Sequence, residues 1–480
     1  MSAALDAGLA AAGARPVARG RRALDTGGLG AALGLCWVVA ACVATLGGAA
    51  RLMLVGFPLG AALIALGLLA LRRWNAYLAF AIVMWLTTNE VRRFVDWKSV
   101  YHEQNPILLT ATVVSILSLP WGLLYRRRVR KEIYNLVSVV MAVGAYGLLV
   151  GIVRNGFLPA IADSLYLLGP LSLGLFVLKV MTDDEALRRV LRGTAVWGCL
   201  GLGAYGLIQF LVLPPWDLAW MLGSEISSIG APRPGEFRTF STLTTTGPLG
   251  QVLAALLLIL VSERRVPRQF IAAAVGMVCL GTTLVRAGWI GLALGMVLLF
   301  VLGRTKILRM GAVLAALLAG LIVLGGPIIG RMAERANNTT SQTTEDISLQ
   351  KRIEFQTRIA PTVLSDPIGL GFGATGRVSN LNASDFTDPH FRNFDSGIFE
   401  TLARFGVIAG LLYLGAIITA TAKAVRRARR TELTDTCLAA AALALTFGII
   451  FTDTSQAIYG MVLWLCLATL GRVPQSGGRA

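Results

Sequence analysis

The sequence contains few of the side chains that build metal centres or disulfide frameworks. Its 480 residues include two histidines and six cysteines, and only 15% of them are charged. The cysteines lie in or at the ends of apolar segments, and no C-x-x-C pair or other metal-ligand spacing occurs. A zinc site and a disulfide-stapled secreted domain are therefore not indicated. We predict no metal site and no cofactor.

Apolar residues make up 55% of the chain, and the mean hydropathy is +0.68. They fall in repeated blocks close to the ~20 residues that a helix needs to cross a bilayer. Because the blocks show no period-2 alternation, they predict helices rather than a membrane barrel. We predict an all-α, polytopic integral membrane protein with about fourteen transmembrane helices.

The net charge of +18 does not require a nucleic-acid partner. Basic clusters follow alternate spans, as in YRRRVRK, ERRVPR, RTKILR and KAVRRARR, which is the pattern of cytoplasmic loops. No zinc-finger or RNA-recognition signature accompanies the charge. The pattern predicts a multi-pass protein in contact with the lipid bilayer, with both termini cytoplasmic and no nucleic acid bound.

The spans and loops predict five regions. These are a cytoplasmic tail (1–27), eleven spans with a periplasmic loop at about 214–247 (28–330), a late periplasmic loop (331–397), three final spans (398–472) and a second tail (473–480). Within them, a tight turn at Arg51 separates the first two spans. The third span (about 74–88) leads into an outer loop, and the fourth covers about 106–124.

The late loop is the best candidate for the site of chemistry, because structureless loops of this length are uncommon unless they are functional. It contains His390 and the carboxylates of Asp385, Asp388 and Asp395. The spans themselves are poor in ionisable groups. Asp163, with Gln209 as a neutral companion, is the clear exception, either as a helix-packing residue or as a boundary residue. This interior argues against an ion-coupled transporter.

Four motifs between Arg233 and Leu412 occur in an informative order: RTFSTLTTTGPLG, RAGWIGLALG, DPIGLGFG and DSGIFETLARFGVIAGLL. In order and sidedness they resemble the O-antigen ligase and Wzy-type polymerase superfamily of bacterial envelope glycosyltransferases. The resemblance implies a GT-C-like fold in the inner membrane. It also implies metal-independent, inverting transfer of a glycan from an undecaprenyl-diphosphate-linked donor to a glycan acceptor at the periplasmic face. A chain-length regulator and a flippase are the expected partners.

Arginines suit such a reaction because a guanidinium matches phosphate oxygens bidentately and keeps its charge. The candidates for binding the donor diphosphate are Arg286, Arg238, Arg352, Arg358 and Arg392. The alternative for Arg286 is snorkelling to the interface, and the alternative for Arg238 is a plain juxtamembrane charge. Arg238 is followed by hydroxyl donors at Ser241, Thr242, Thr244, Thr245 and Thr246. Arg352 and Arg358 lie in a predicted amphipathic helix, and the alternative is that this helix has a purely structural role.

The DPIGLGFG motif is either a weak phosphate-binding loop or a chain reversal.

The general base has two candidates. O-antigen ligases carry a His-Asn pair before the span that follows the late loop, whereas this chain has Phe394-Asp395-Ser396 there. The difference favours a polymerase with Asp395 as the catalytic base and His390 as the alternative. Asp395 is equally compatible with a helix N-cap. An O-antigen ligase acting on lipid A core, a protein O-oligosaccharyltransferase and, from another class, a lipid-linked oligosaccharide flippase remain alternatives.

Overall fold

The computed structural model describes residues 27–303, 354, 357–375, 394 and 396–473, apart from residues 126, 128, 225 and 430. Across these segments the regular structure is helical, and the β-type pairing consists of two isolated bridges, Val129 with Arg472 and Gly230 with Phe237. This agrees with the predicted all-α class.

The helices that position the site are numbered in chain order. They are α1 (Gly27–Ala44), α2 (Ala50–Ala70), α3 (Trp74–Lys98), α4 (Thr110–Ile116), α5 (Leu119–Leu124), α6 (Lys131–Asn155), α7 (Phe157–Lys179), α8 (Asp184–Val212), α9 (Pro215–Ser224), α10 (Thr246–Leu260), α11 (Val266–Thr283), α12 (Arg286–Val301), α13 (357–365), α14 (Gly397–Ala428), α15 (Leu433–Gly448) and α16 (Ala457–Gly471).

Seven helical stretches in this part of the chain are long and apolar enough to cross a membrane. They are Gly27–Ala70, Pro106–Leu124, Lys131–Asn155, Phe157–Lys179, Asp184–Val212, Val266–Thr283 and Gly397–Ala428. Four shorter apolar helices accompany them, namely α10, α12, α15 and α16. The protein is thus a multi-pass membrane protein. The total of fourteen spans stays a prediction, and the span at about 308–330 lies outside the described residues.

The first hairpin turns earlier than the sequence suggested. The predicted turn at Arg51 is wrong, because Arg51 lies inside α2 and the chain reverses in a π-helical segment, Thr45–Ala49. Gly48 adopts φ 92° there, a conformation that only glycine adopts readily. The rings of Trp37 and Phe57 then stack with centroids 6.1 Å apart, which packs α1 against α2.

The third predicted span is too short, whereas the fourth has the predicted bounds. Helix α3 continues to Lys98, ten residues beyond the predicted span, because its charged residues find buried partners. Arg92, for example, pairs with Asp96 at 2.9 Å, and both side chains are almost completely buried. The fourth span coincides with the helical stretch Pro106–Leu124, in which a 3₁₀ turn (Pro106–Leu109) precedes α4 and α5.

Polar contacts group the helix ends into two faces. At one face, Arg188 donates to both carboxylate oxygens of Asp435 at 3.0 Å, and Arg427 pairs with Glu132. We call this face the basic end; it comprises the described residues of 125–131, 180–184, 428–433 and 472. The opposite face, called the site end, comprises the described residues of 99–106, 155–157, 213–245, 284–286, 366–375 and 449–456. Which side of the membrane each end faces stays a prediction of the charge pattern.

Candidate active site

Arg238 lies half-buried at the site end and ties two distant parts of the chain together. Its Nε donates to the carbonyl oxygen of Thr283 at 3.0 Å, and its Nη2 donates to that of Leu284 at 3.1 Å. Leu284, at φ 54°, ends α11, and the exposed Arg286 begins α12 two residues later. The structure therefore brings the two arginine motifs to one place.

The turn that follows Arg238 is held by buried protein groups. Gln209 of α8 accepts hydrogen bonds from the backbone N–H groups of Phe240 (3.1 Å) and Ser241 (2.8 Å) through its Oε1. Ser241 is fully buried at φ 50°, which is unfavourable for a residue with a Cβ. The polar intramembrane residue Gln209 thus serves to fix this turn.

Two of the hydroxyls predicted as donors in this turn have backbone partners. Ser241 Oγ donates to the carbonyl oxygen of Leu202 at 2.7 Å, and Thr242 Oγ1 donates to that of Leu86. A hydroxyl has one proton to donate. These two side chains consequently support the turn instead of offering that proton to a substrate.

A second buried support for the turn is Arg93 of α3, which the sequence analysis placed in an outer loop. It pairs with Asp217 and with Glu90, the latter at 2.8 Å, and it donates to the carbonyl oxygens of Ser241 and Leu243. Its side chain is 1% exposed. Since an arginine that loses such partners would be an uncompensated buried charge, these contacts constrain the turn strongly.

The acids of this cluster share one tyrosine. The hydroxyl of Tyr205 donates to Asp217 at 2.7 Å, lies against Glu90, and accepts the indole N–H of Trp216 at 2.7 Å. Sequence spacing predicts only the pairing of Glu90 with Arg93, because the other members of the cluster lie on α8 and α9.

The DPIGLGFG segment (366–373) is a chain reversal pinned between helices. The amides of Leu370 and Gly371 donate to the carbonyls of Ala403 and Arg404 at 2.7 and 2.8 Å. The remaining amides donate to Asp366 Oδ1 (from Ile368 and Gly369), to the Gly147 carbonyl (from Phe372) and to Asp163 Oδ2 (from Gly373), at 2.9–3.1 Å. Every N–H from 368 to 373 is therefore taken. The phosphate-binding interpretation is wrong, and the chain-reversal interpretation is confirmed.

Glycines make this close docking possible. A Cβ on Gly371, at φ 77°, would lie 2.2 Å from the amide nitrogen of Gly151. On the other side, Gly369 approaches the amide of Gly406, whose φ of 76° kinks α14. The segment thus wedges between α6 and α14, which fixes the start of α14 at the site end.

An ion pair at the surface joins the DPIGLGFG reversal to α6. Arg154 donates to Asp366 at 2.9 Å and to the carbonyl of Gly369 at 2.8 Å. Partial burial raises the pKa of Asp366. The guanidinium of Arg154 and the backbone N–H groups of Ile368 and Gly369, which donate to the carboxylate, lower that pKa by more, so it lies below its ordinary value. Asp366 is therefore ionised at neutral pH.

Arg404 forms a buried ionic centre that sequence reasoning missed. Its guanidinium lies 2.9 Å from Glu400, 3.3 Å from Asp453 and 3.5 Å from Asp163, and it donates to Thr375 Oγ1 at 2.8 Å. Of these partners, only Glu400 could be predicted from sequence spacing, because it lies four residues before Arg404 on α14. The centre links α7, α14, the reversal and the 449–456 turn, so Asp163 is a packing residue, one of the two alternatives predicted for it.

Most of the predicted late-loop residues lie outside the described part of the chain: Asp395, His390, Arg352 and Arg392. What is described is the boundary of α14. Ser396 is buried and occupies the N-cap position, with no hydrogen bond from its side chain to the helix. The alternative role of Asp395 as the N-cap is therefore off by one residue, because Ser396 occupies that position.

Arg358 lies on α13 and is exposed. Its Nη2 pairs with Glu354 at 2.7 Å, while Ile359 and Val363 on the same helix are buried against Leu402. The predicted amphipathic helix is present over 357–365, packed on α14 through its apolar face. Among the residues described, no group of three His, Cys, Asp or Glu could hold a metal ion.

A protein-family model described as O-antigen ligase matches residues 271–414. The matched region runs from α11 to α14 and contains Arg286, the DPIGLGFG reversal and Arg404. It confirms the resemblance drawn from the motifs and supports a membrane enzyme that transfers glycans. No curated protein matches the chain.

Proposed function

We propose that this protein is a polysaccharide polymerase of the bacterial inner membrane, a proposal supported by the match of residues 271–414 to a family model described as O-antigen ligase. It joins repeat units carried on undecaprenyl diphosphate, with the site end facing the periplasm and both termini in the cytoplasm. The meeting of the two arginine motifs carries the proposal: Arg238 bonds the backbone two residues before Arg286.

The proposed reaction is a direct displacement at the anomeric carbon of the donor. The acceptor hydroxyl forms the new glycosidic bond from the face opposite the diphosphate, the bond to the diphosphate breaks, and the configuration inverts. The leaving diphosphate gains negative charge, which cationic groups stabilise more in the transition state than in the ground state. Arg286 and Arg238, with Arg352, Arg358 and Arg392 of the late loop, supply that charge without a metal.

The hydroxyl proton passes to a base on the late loop. Asp395 is the proposed base because it directly precedes Ser396, and the fixed reversal and Arg404 centre hold the start of α14 in place. His390 is the alternative. The absence of a His-Asn pair at this position distinguishes the chain from O-antigen ligases and favours polymerisation.

An O-antigen ligase acting on lipid A core is the second candidate, favoured by the family description itself. A protein O-oligosaccharyltransferase would use the same donor chemistry. A flippase for lipid-linked oligosaccharides would need a large polar cavity, whereas the cavity between α1, α3 and α8 is lined mainly by apolar side chains.

Product analysis tests the proposal. The purified protein is reconstituted in liposomes with an undecaprenyl-diphosphate-linked repeat unit, in excess EDTA. A polymerase produces a ladder of lengths, which a co-reconstituted chain-length regulator narrows. Transfer of single units to lipid A core alone would identify a ligase, and lipid translocation without transfer would identify a flippase. Activity that EDTA abolishes and Mg²⁺ restores would contradict the metal-independent mechanism.

A further inference from the structure

A large groove lies between α1, α3 and α8, apart from the ionic clusters described above. It has a volume of about 1620 Å³ and is walled mostly by Gly, Ala, Leu, Val and Ile side chains. Gly193 and Gly201 of α8 face open space there, since a Cβ on either would meet nothing within 4 Å. A cavity of this size and polarity in a membrane region suits an apolar chain.

The groove is longer than one leaflet of a bilayer. Along α3 it is lined from Trp74 to Thr87, which is about 20 Å at the helical rise of ~1.5 Å per residue. One leaflet contributes roughly half of a ~30 Å hydrocarbon core, or about 15 Å. The groove therefore extends past the bilayer midplane, and a long isoprenoid chain that enters it from the site end fills it along its whole length.

The two ends of the groove differ in chemistry. Asp183 and Arg189 line the end near the basic end of the protein, and they are the charged groups among its described lining residues. At the other end it is lined by Thr87 and Thr242. Thr242 belongs to the turn that begins at Arg238, so the groove ends at the turn that carries this candidate diphosphate-binding arginine.

We infer that this groove holds the isoprenoid chain of the lipid-linked donor, with the diphosphate at the Arg238 turn and the far end of the chain toward Arg189. The inference rests on the proposed function for the identity of the lipid. It adds a binding site on α1, α3 and α8, all of which precede the family match at residues 271–414.

The test fills the groove without disturbing the helix. Leucine is a better helix former than glycine, and open space surrounds Gly193, which lies toward the Arg189 end of the groove, so Gly193→Leu should fold. Gly415→Leu on α14 is the matched control, because Gly415 also faces open space but does not line the groove. We expect Gly193→Leu to lower kcat/KM at least tenfold with an undecaprenyl donor and to leave it unchanged with a farnesyl donor, whose shorter chain ends before this position. Gly415→Leu should change neither, and a wild-type kcat/KM for Gly193→Leu with the undecaprenyl donor would overturn the inference.

A binding measurement separates this inference from the proposed function. Undecaprenyl phosphate carrying a diazirine near the end of its tail should label peptides from α1, α3 and α8, and Gly193→Leu should remove that label. If no donor is transferred but the label is found there, the proposed function fails and the groove assignment stands. Labelling elsewhere, or displacement by phosphatidylglycerol, would overturn the assignment.

Discussion

Arg238 Nη2 donates a hydrogen bond to the carbonyl oxygen of Leu284 at 3.1 Å. Leu284 is the left-handed residue at which α11 ends, and α12 begins two residues later. An arginine in the loop that precedes α10 therefore shapes the junction that presents Arg286. The two arginine motifs form one structural unit, although Arg238 and Arg286 lie 48 positions apart in the sequence.

Replacing Arg238 should consequently affect stability as well as transfer. Arg238→Ala removes two hydrogen bonds from a charged donor, each worth about 1.5–3 kcal/mol, and should lower the thermal unfolding midpoint in detergent. Arg233→Ala, in an exposed part of the same loop, should leave it unchanged. Equal midpoints for the two variants would contradict the anchoring role.

The DPIGLGFG reversal contains a glycine that should not tolerate substitution. In Gly371→Ala the new Cβ would approach Gly151 N to 2.2 Å at a positive φ, so we expect a loss of more than about 2 kcal/mol in stability. Gly415→Ala, in a helix with open space around it, should be neutral or stabilising by up to about 1 kcal/mol. Chemical unfolding in detergent measures both, and a stable Gly371→Ala protein would refute the docking.

The Arg404 centre should respond asymmetrically to substitution. Arg404→Leu leaves the buried carboxylates of Asp163 and Asp453 and the partly buried one of Glu400 without their cation, and should cost about 3–5 kcal/mol. Glu400→Gln keeps a hydrogen-bond acceptor and removes one of three negative charges, so its effect on the unfolding midpoint should be much smaller. A larger loss for Glu400→Gln than for Arg404→Leu would mean that the centre is not organised around the guanidinium.

The sequence predicted the helices well because apolar length is a local signal. It failed where burial of charge depends on distant partners. The segment with Glu90 and Arg93 was predicted to be an outer loop, because no local feature of the sequence indicates that Asp217 and the carbonyl of Ser241 contact Arg93. The proximity of Arg238 to Arg286 was likewise unpredictable, because it depends on how α11 packs beside the loop that precedes α10.

The DPIGLGFG segment shows the limit of motif reading. Three glycines and a proline predict a tight reversal, and that much was correct. Whether its amides bind phosphate depends on which acceptors face them, and these come from α6, α7 and α14. Arg404 was visible as part of a motif, but two of its acidic partners, Asp163 and Asp453, lie far away in the sequence.

The choice between the two bases can be tested directly. Asp395→Asn keeps the size and polarity of the side chain but accepts no proton at neutral pH, so turnover should fall by about 10²–10⁴-fold with normal insertion and purification. His390→Ala should retain most activity. The reverse result would make His390 the base and bring the protein closer to the ligases.

The turnover of Arg286→Lys, beside Arg286→Ala, tests the central claim most directly. Lysine keeps the charge but lacks the bidentate fork, so if Arg286 binds the leaving diphosphate, both variants should lose about 10²-fold or more in turnover with saturating donor in excess EDTA. Both should insert and purify as the wild type does. Wild-type turnover in Arg286→Lys would show that Arg286 only snorkels to the interface and would contradict arginine-based stabilisation of the leaving group at this site.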